Sequence, residues 1–228
     1  KGAQEKLMPL PILYSLQHCP YAMRARMGLL LAEQAVMIRA VVTKNKPAEM
    51  LIASPKGSVP VLVLDKKTVI DESLDIMIWA LHKNDPHNLL YSEDSNALPA
   101  MLQLIKQNDN EFTDSLSKYK RAKRYHESSE IHNRQQCEVF IHQLETRLNT
   151  YRFFMGHEPS LADYAILPFI RQFARVDRKW YLQSSYPKLQ QWLNAHLQSS
   201  LFSKIMKKYP LWLDQQEAFL FAGETDSY

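Results

Sequence analysis

The first third of the chain alternates between short apolar runs and segments whose apolar residues recur at helical spacing. Apolar runs predict four strands, at residues 10–14, 36–42, 59–64 and, after the turn Asp65-Lys66-Lys67, 68–70. Helical spacing predicts helices at 21–33, 48–53 and 73–83. The order β-α-β-α-β-β-α indicates a small α/β domain, and its first two strands, which a helix connects, are expected to be parallel.

From about residue 95 onward the pattern predicts helices and no strand. The long helical patterns lie at 97–124, 129–151, 160–176 and 186–197, and two shorter ones lie near 202–208 and 213–221. Turn-forming residues in Asn84-Asp85-Pro86-His87-Asn88 separate the two parts. We therefore predict an α/β domain at 1–85, a linker at 86–94 and an all-α domain at 95–228.

Composition excludes several classes of protein. With 228 residues, 46% of them hydrophobic and 23% charged, the chain has the composition of a soluble globular protein. No stretch approaches the roughly 20 apolar residues that span a bilayer. Residues 1–7 are polar and lack the apolar core of a secretory signal. These observations predict no membrane partner, and with only two cysteines they favour a reducing, cytoplasmic location.

Charge and motif content narrow the chemistry further. A net charge of +4 permits anionic ligands but does not predict a nucleic-acid partner. Five glycines and no glycine-rich loop argue against the common nucleotide-binding folds. Eight scattered histidines show no zinc-site spacing, so we predict no metal.

The segment His18-Cys19-Pro20-Tyr21-Ala22 joins the first predicted strand to the first helix. A cysteine at this junction lies where unpaired helix amides and the helix dipole favour the thiolate, the reactive form of cysteine. Pro20 suits a first helical turn because the amide it lacks would have no partner there. Ala22 occupies the position of a resolving cysteine, so a reactive Cys19 would exchange with an external thiol. The alternative is a buried, inert cysteine.

Several ordered motifs resemble those of the cytosolic glutathione transferases, in particular the cysteine-type branch formed by the omega class and its bacterial relatives. The matching strings are Leu13-Tyr14-Ser15, Cys19-Pro20-Tyr21-Ala22, Lys44-Asn45-Lys46-Pro47, Gly57-Ser58-Val59-Pro60-Val61-Leu62 and Asp71-Glu72-Ser73. The resemblance covers roughly residues 10–206. It implies a thioredoxin-like N-terminal domain followed by an all-helical C-terminal domain, with glutathione as co-substrate.

The resemblance also implies a set of glutathione contacts. The Val59-Pro60 bond would be cis and would turn the Val59 backbone toward the cysteinyl part of glutathione; the alternative is an ordinary proline at the start of an edge strand. Ser73 and nearby helix amides would bind the γ-glutamyl carboxylate, and Glu72 the α-ammonium, although a serine here also suits a plain N-cap. Lys46 would reach the glycyl carboxylate, unless it is simply a solvated charge.

Two further segments have other interpretations. Ser160-Leu161-Ala162-Asp163 matches the family's internal capping box, a folding element, and Asp163→Ala is expected to lower stability by about 1 kcal/mol or somewhat more. The basic run Lys118, Lys120, Arg121, Lys123 and Arg124 is typical of a solvated helix face. Its functional alternative is attraction of anionic thiols or acidic partner proteins.

Three functions are compatible with these residues. The first is a thiol transferase in which Cys19 forms a mixed disulfide with glutathione, with deglutathionylation or dehydroascorbate-type reduction as its activity. The second is conjugation of glutathione to electrophiles, with Tyr14 or Ser15 as the hydroxyl that binds the glutathione thiolate. The third is a non-enzymatic protein-interaction role. The expected partners are glutathione, a small electrophile or disulfide substrate, and a second copy of the chain in a homodimer.

Overall fold

The computed structural model describes residues 9–223. In the first part of the chain it contains β1 (Ile12–Ser15), α1 (Pro20–Leu31), β2 (Val36–Ala40), α2 (Ala48–Ala53), β3 (Val61–Val63), β4 (Val69–Ile70) and α3 (Ser73–Lys83). All seven elements fall where the sequence predicts them. The predicted strand at 59–64 begins two residues later, after Val59-Pro60.

The remaining elements are mostly helices: α4 (Ala97–Gln107), α5 (Thr113–Arg124), α6 (Glu130–Thr150), α7 (Leu161–Val176), α8 (Arg178–Gln183), α9 (Pro187–Leu197), α10 (Ser200–Ile205) and α11 (Trp212–Gln215), followed by the strand β5 (Phe219–Phe221). A π-helical turn at Asn108–Phe112 joins α4 to α5 within the helix predicted at 97–124. In the described part of the chain, no helix is both long and apolar enough to traverse a bilayer.

The strands form one mixed sheet in the order β4-β3-β1-β2-β5. β1 and β2 are parallel, with Ile12 opposite Met37, as the β-α-β pattern predicts. β3 is antiparallel to β1 and to β4, which confirms the hairpin predicted around residues 65–67. The predicted fold class, a thioredoxin-like α/β part with a helical C-terminal region, is therefore confirmed.

The helix predicted near 213–221 is wrong in its second half. Residues Phe219–Phe221 form β5, which is antiparallel to β2 and places Phe221 opposite Val36. The prediction that no strand follows residue 95 is therefore also wrong. The physical reason is that the outer edge of β2 offers unpaired backbone groups, and a short apolar run satisfies them by adding a strand.

The described part of the chain divides into two compact units. One contains residues 9–84 together with residues 204–223, and the other contains Asp85–Ser203. The division lies next to the predicted end of the first domain at residue 85. The predicted linker 86–94 lies within the helical unit, and residues 204–223 belong with the sheet, where Phe219–Phe221 pair with β2.

Within the sheet-containing unit, α1 is buried along nearly its whole length, from Ala22 to Leu31. It packs tightly on α3 at Gly28, where a Cβ would lie 2.8 Å from the Cα of Met77. Only glycine permits this approach of the two helices. The tight packing fixes the position of the α1 N-terminus, and with it Cys19.

In the helical unit, α7 is the most deeply buried helix and begins with the predicted capping box. The Ser160 hydroxyl accepts a hydrogen bond from the Ala162 N–H at 3.2 Å, and the Asp163 carboxylate accepts one from the Ser160 N–H at 2.9 Å. The capping box is therefore confirmed. Asp163 also accepts hydrogen bonds from the Phe154 N–H and the Trp192 indole N–H, both at 3.0 Å, so this buried carboxylate connects three segments of the unit.

Candidate active site

Cys19 is the N-cap residue of α1, with extended backbone angles (φ −74°, ψ 124°) and Pro20 in the first turn. Its carbonyl accepts the first helical hydrogen bond, from the Met23 N–H at 2.9 Å. Its side chain makes no capping hydrogen bond and is partly exposed. The thiol therefore lies at a helix N-terminus, where backbone amides favour an anion, and a reagent can reach it.

A cavity of about 330 Å³ lies beside this thiol. Three of the predicted site residues, Cys19, Lys46 and Val59, line the same cavity. Its other walls are formed by Leu16, Tyr21, Val41, Val42, Thr43, Met50, Lys56, Gly57 and Ser58. The structure thus brings together residues from three separate motifs around one thiol. Two of the residues that line the cavity, Lys46 and Lys56, are lysines.

The Val59-Pro60 peptide bond is cis, as the resemblance implies. Val59 borders the cavity and Pro60 is buried behind it. The nearby Gly57 has a left-handed backbone (φ +67°), and a Cβ on it would lie 3.2 Å from Leu51 Cδ2. The left-handed backbone conformation favours glycine at this edge of the cavity, and the space beside it is tight.

Glu72 and Ser73 lie at the N-terminus of α3 but are not among the residues that line the cavity. Glu72 is the N-cap and Ser73, which is buried, is the first helical residue. Glu72 reaches the cavity indirectly, because its carboxylate accepts a hydrogen bond of 2.6 Å from Lys56 Nζ. Lys56 also lies 3.6 Å from Asp71. Sequence reasoning missed Lys56, since a lysine in a loop carries no distinguishing signal.

Arg26 is the second residue that sequence reasoning missed. It is only 2% exposed, and its guanidinium donates hydrogen bonds to Ser15 Oγ and to the carbonyls of Leu16, Gln17 and Ile205, at 2.6 to 3.0 Å. Burial lowers the pKa of Arg26 to about 10, and negative charge at Cys19 opposes this shift. At neutral pH it is therefore a fixed cation that holds the β1–α1 loop in place. The signal in the sequence is a pair of arginines, Arg24 and Arg26, in a helix whose other residues are mostly apolar.

A second cavity of about 430 Å³ lies on the other side of the β1–α1 loop. It shares Leu16, Val41 and Val42 with the first cavity, and the C-terminal residues 207–211 form one wall. Lys207, Lys208 and His18 make part of this lining basic. The loop that precedes Cys19 therefore separates two neighbouring cavities within one unit.

The two hydroxyl groups considered for conjugation chemistry are both buried and both engaged. Tyr14 is 2% exposed, packs with Val41, Met50 and Val61, and hydrogen-bonds Arg39 at 2.9 Å. Burial raises the pKa of the Tyr14 phenol. Ser15 is 3% exposed and accepts the hydrogen bond from Arg26. Neither hydroxyl is presented to the cavity beside Cys19.

The second cysteine has a different environment. Cys137 lies within α6 and is fully buried. Burial, with a contribution from the charge of Glu138, raises the pKa of the Cys137 thiol to about 12. Among the described residues, no group of three or more His, Cys, Asp or Glu side chains is arranged to hold a metal ion.

The sequence of the chain is similar to those of known glutathione S-transferases. Residues 13–88 match the family model of the glutathione S-transferase N-terminal domain, and residues 100–199 match that of the C-terminal domain. Glutathione S-transferase omega-1 of Mus musculus is 27% identical over 192 residues, which cover 84% of this chain and 78% of the mouse protein. The omega-1 enzyme of Rattus norvegicus is 26% identical over 183 residues, 79% of this chain and 74% of the rat protein.

Solved structures show the same fold. A glutathione transferase family member from Pseudomonas fluorescens, solved with two glutathione molecules bound, superposes with a TM-score of 0.75 at 17% identity, covering 89% of this chain and 95% of that one. A glutathione S-transferase-I bound to lactoylglutathione superposes with a TM-score of 0.72 at 20% identity, covering 86% and 98%. At these identities the similarity concerns the fold alone.

Proposed function

Because the chain belongs to the cytosolic glutathione S-transferase superfamily, in its omega-like branch, and is a glutathione transferase, we propose that it catalyses thiol transfer through Cys19. The observation that carries this proposal is the position of Cys19: an accessible thiol at a helix N-terminus, beside a cavity that Lys46 and Val59 also line. The buried hydroxyls of Tyr14 and Ser15 favour this route over conjugation.

In the proposed reaction the Cys19 thiolate attacks the glutathione sulfur of a mixed disulfide. A Cys19–glutathione disulfide forms, the original disulfide breaks, and the substrate leaves as a thiolate that takes a proton from water. The thiolate of a second glutathione then attacks the glutathione sulfur of this intermediate. Oxidised glutathione leaves and the Cys19 thiolate is restored, so each cycle converts one mixed disulfide and one free glutathione into the substrate thiol and one molecule of oxidised glutathione.

The residues around Cys19 each have a task in this reaction. The N-terminus of α1 presents backbone amides beside Cys19, and Arg26 holds the loop that precedes it through the carbonyls of Leu16 and Gln17. The Val59 backbone pairs with the cysteinyl part of glutathione, Lys46 binds its glycyl carboxylate, and Ser73 with the α3 amides binds its γ-glutamyl carboxylate. Glu72 binds the α-ammonium after exchanging its present partner Lys56. Pro60 supports this wall from behind.

Ala22, fully buried at the third position after Cys19, explains the need for the second glutathione. No thiol stands there to release the intermediate as an internal disulfide. The cavity on the other side of the β1–α1 loop, which adjoins the first, accommodates the disulfide partner. A homodimeric assembly and a cytoplasmic location stay predictions.

The experiment follows the intermediate and the turnover together. The protein is incubated with the mixed disulfide of glutathione and 2-mercaptoethanol, and reduction is coupled to regeneration of glutathione. We expect turnover in the wild type, a glutathione adduct on Cys19 by mass spectrometry, and a loss of about a hundredfold or more in Cys19→Ser. Cys137→Ser is the matched control and is expected to retain full activity.

Three results would contradict the proposal. The first is a glutathione adduct on Cys137 with none on Cys19, and the second is disulfide reduction by a Cys19→Ala variant. The third is conjugating activity of Cys19→Ala toward a chloroarene, together with no reductase activity in the wild type. This third result would favour the conjugation alternative.

A further inference from the structure

A groove with basic walls lies in the helical unit, away from the residues assigned to thiol chemistry. Its first part is a cavity of about 610 Å³ between α7, α8 and α9. Arg171 and Arg175 lie four residues apart on α7 and therefore on one face of that helix, and Arg178, the first residue of α8, lines the same cavity. A second cavity of about 340 Å³ shares Arg171 and Arg175 and adds Lys120, Lys123 and Arg124 from the end of α5. Together the two cavities form the basic groove.

Most cations of the basic groove lack an anionic partner. Lys123 pairs with Glu130 and Asp177, both at 3.4 Å. Among the described residues, no carboxylate stands at ion-pair distance from the other five cations. Burial and the charges of Arg175 and Arg178 lower the pKa of Arg171. The arginines therefore repel one another in the free protein, and an anionic ligand would relieve this repulsion.

Leucines also line the larger cavity of the basic groove. Leu182 on α8 is 63% exposed, Leu197 of α9 is half-buried, and Leu193 of α9 is buried. A ligand that satisfies this surface must bring carboxylates to the arginines and apolar groups to the leucines. These two requirements are met by one face and the adjoining edge of an acidic amphipathic helix.

We infer that the basic groove is a docking site for an acidic amphipathic segment of another protein. Charge complementarity determines this choice of occupant, and the leucines distinguish it from a nucleic acid, whose phosphates and bases favour cations and aromatic platforms. Three residues of the basic run at the end of α5, Lys120, Lys123 and Arg124, thus form one end of a binding surface.

The test measures binding of a synthetic peptide by fluorescence polarisation. The probe is a fluorescein-labelled helix of Glu, Ala and Leu with its leucines along one stripe, compared with a peptide of the same composition whose leucines are spread around the helix. We expect the striped peptide to bind and its affinity to fall with added salt. Arg175→Glu with Arg178→Glu should weaken it about tenfold or more, and Leu182→Ser about threefold.

The matched control is Lys179→Glu, which reverses an exposed charge next to Arg178 but outside the cavity lining. It should leave the affinity within about twofold of the wild type. The Cys19→Ser protein should bind the peptide normally, so failure of the thiol chemistry and failure of docking are distinguishable. Equal binding of the two peptides, equal loss in Lys179→Glu, or tighter binding of a single-stranded oligonucleotide or of anionic phospholipid vesicles would overturn the inference.

Discussion

The two cysteines of this chain occupy opposite kinds of position. Cys19 caps a helix, is partly exposed and borders a cavity, whereas Cys137 lies inside a helix with no exposed surface. A reagent can reach the Cys19 thiol, whereas at Cys137 burial disfavours the charged form and raises the pKa of the thiol to about 12. Both residues are cysteines, so it is their position, one at a helix N-terminus and the other inside a helix, that determines which thiol can react.

The two units also differ in the buried ion that organises each of them. In the sheet-containing unit, the Arg26 guanidinium donates four hydrogen bonds and holds the loop before Cys19. In the helical unit, the Asp163 carboxylate accepts four, from Phe154, Trp192 and two groups of Ser160. A buried ion is tolerated where hydrogen bonds within the protein replace much of its lost hydration. Arg26 thus positions the loop before Cys19, whereas Asp163 connects segments of the helical unit.

The largest expected effect is a difference in alkylation between the two cysteines. At neutral pH, iodoacetamide should modify Cys19 about a thousandfold faster than Cys137 or more, because Cys137 is both inaccessible and protonated. Peptide mass spectrometry over time measures both rates in one sample. Protein unfolded in urea is the control and should be labelled at both positions. Comparable rates in the native protein would remove the contrast between the two positions.

The next effect is on stability. Asp163→Ala should lower the free energy of unfolding by about 3 kcal/mol, since it leaves buried N–H donors without an acceptor. This is more than the sequence predicts for a helix cap, because the carboxylate also binds Phe154 and Trp192. Urea denaturation measures the change. Asp114→Ala removes an exposed carboxylate on α5 and serves as control, with a change of less than about 0.5 kcal/mol.

A third prediction concerns acid. Burial lowers the pKa of His196 in the helical unit to about 4, below the value of about 6.5 in an unfolded chain. The unfolded state therefore binds more protons between these values, and stability falls as the pH decreases through this window. Between neutral pH and about pH 5 we expect a loss of about 2 kcal/mol from this histidine.

Urea denaturation of the wild type and of His196→Phe at both pH values isolates this contribution. Phenylalanine can keep the edge contacts of the ring with Trp192 and Tyr164 but cannot be protonated. The variant should lose less stability in acid than the wild type does. Equal losses in both proteins would show that His196 does not govern the acid response.

The smallest effect is expected at the surface of the sheet-containing unit. Lys56→Ala removes the ion pairs with Glu72 and Asp71, but all three side chains are substantially exposed. Stability should change by less than about 1 kcal/mol, and less at high salt. A double-mutant cycle with Glu72→Gln measures the coupling between the two side chains. A coupling free energy as large as the loss of unfolding free energy in Asp163→Ala would contradict the prediction that the exposed ion pair stabilises the protein less than the buried carboxylate does.

Local patterns predicted most of the fold. The β1-α1-β2 unit and the hairpin at 65–67 depend on neighbouring residues, which a sequence displays directly. The cis bond at Val59-Pro60 and the capping box at Ser160 were implied by the family resemblance. β5 could not be predicted in this way. Three apolar residues carry no reliable periodicity, and they form a strand because the edge of β2 lies beside them.

The candidate site was predictable only in part, for a similar reason. Cys19, Lys46 and Val59 belong to motifs, and they line one cavity. Arg26 and Lys56 belong to none, and their roles arise from partners distant in sequence, such as the Ile205 carbonyl and the Glu72 carboxylate. Those pairings exist only once the chain has folded.

The position of β5 in the sheet has a consequence for translation of the protein. β2 is translated before β5, so the outer edge of β2 has no strand partner until Phe219–Phe221 have been made. During this interval the part of the chain that carries Cys19 exposes an open strand edge, of the kind that pairs with other chains.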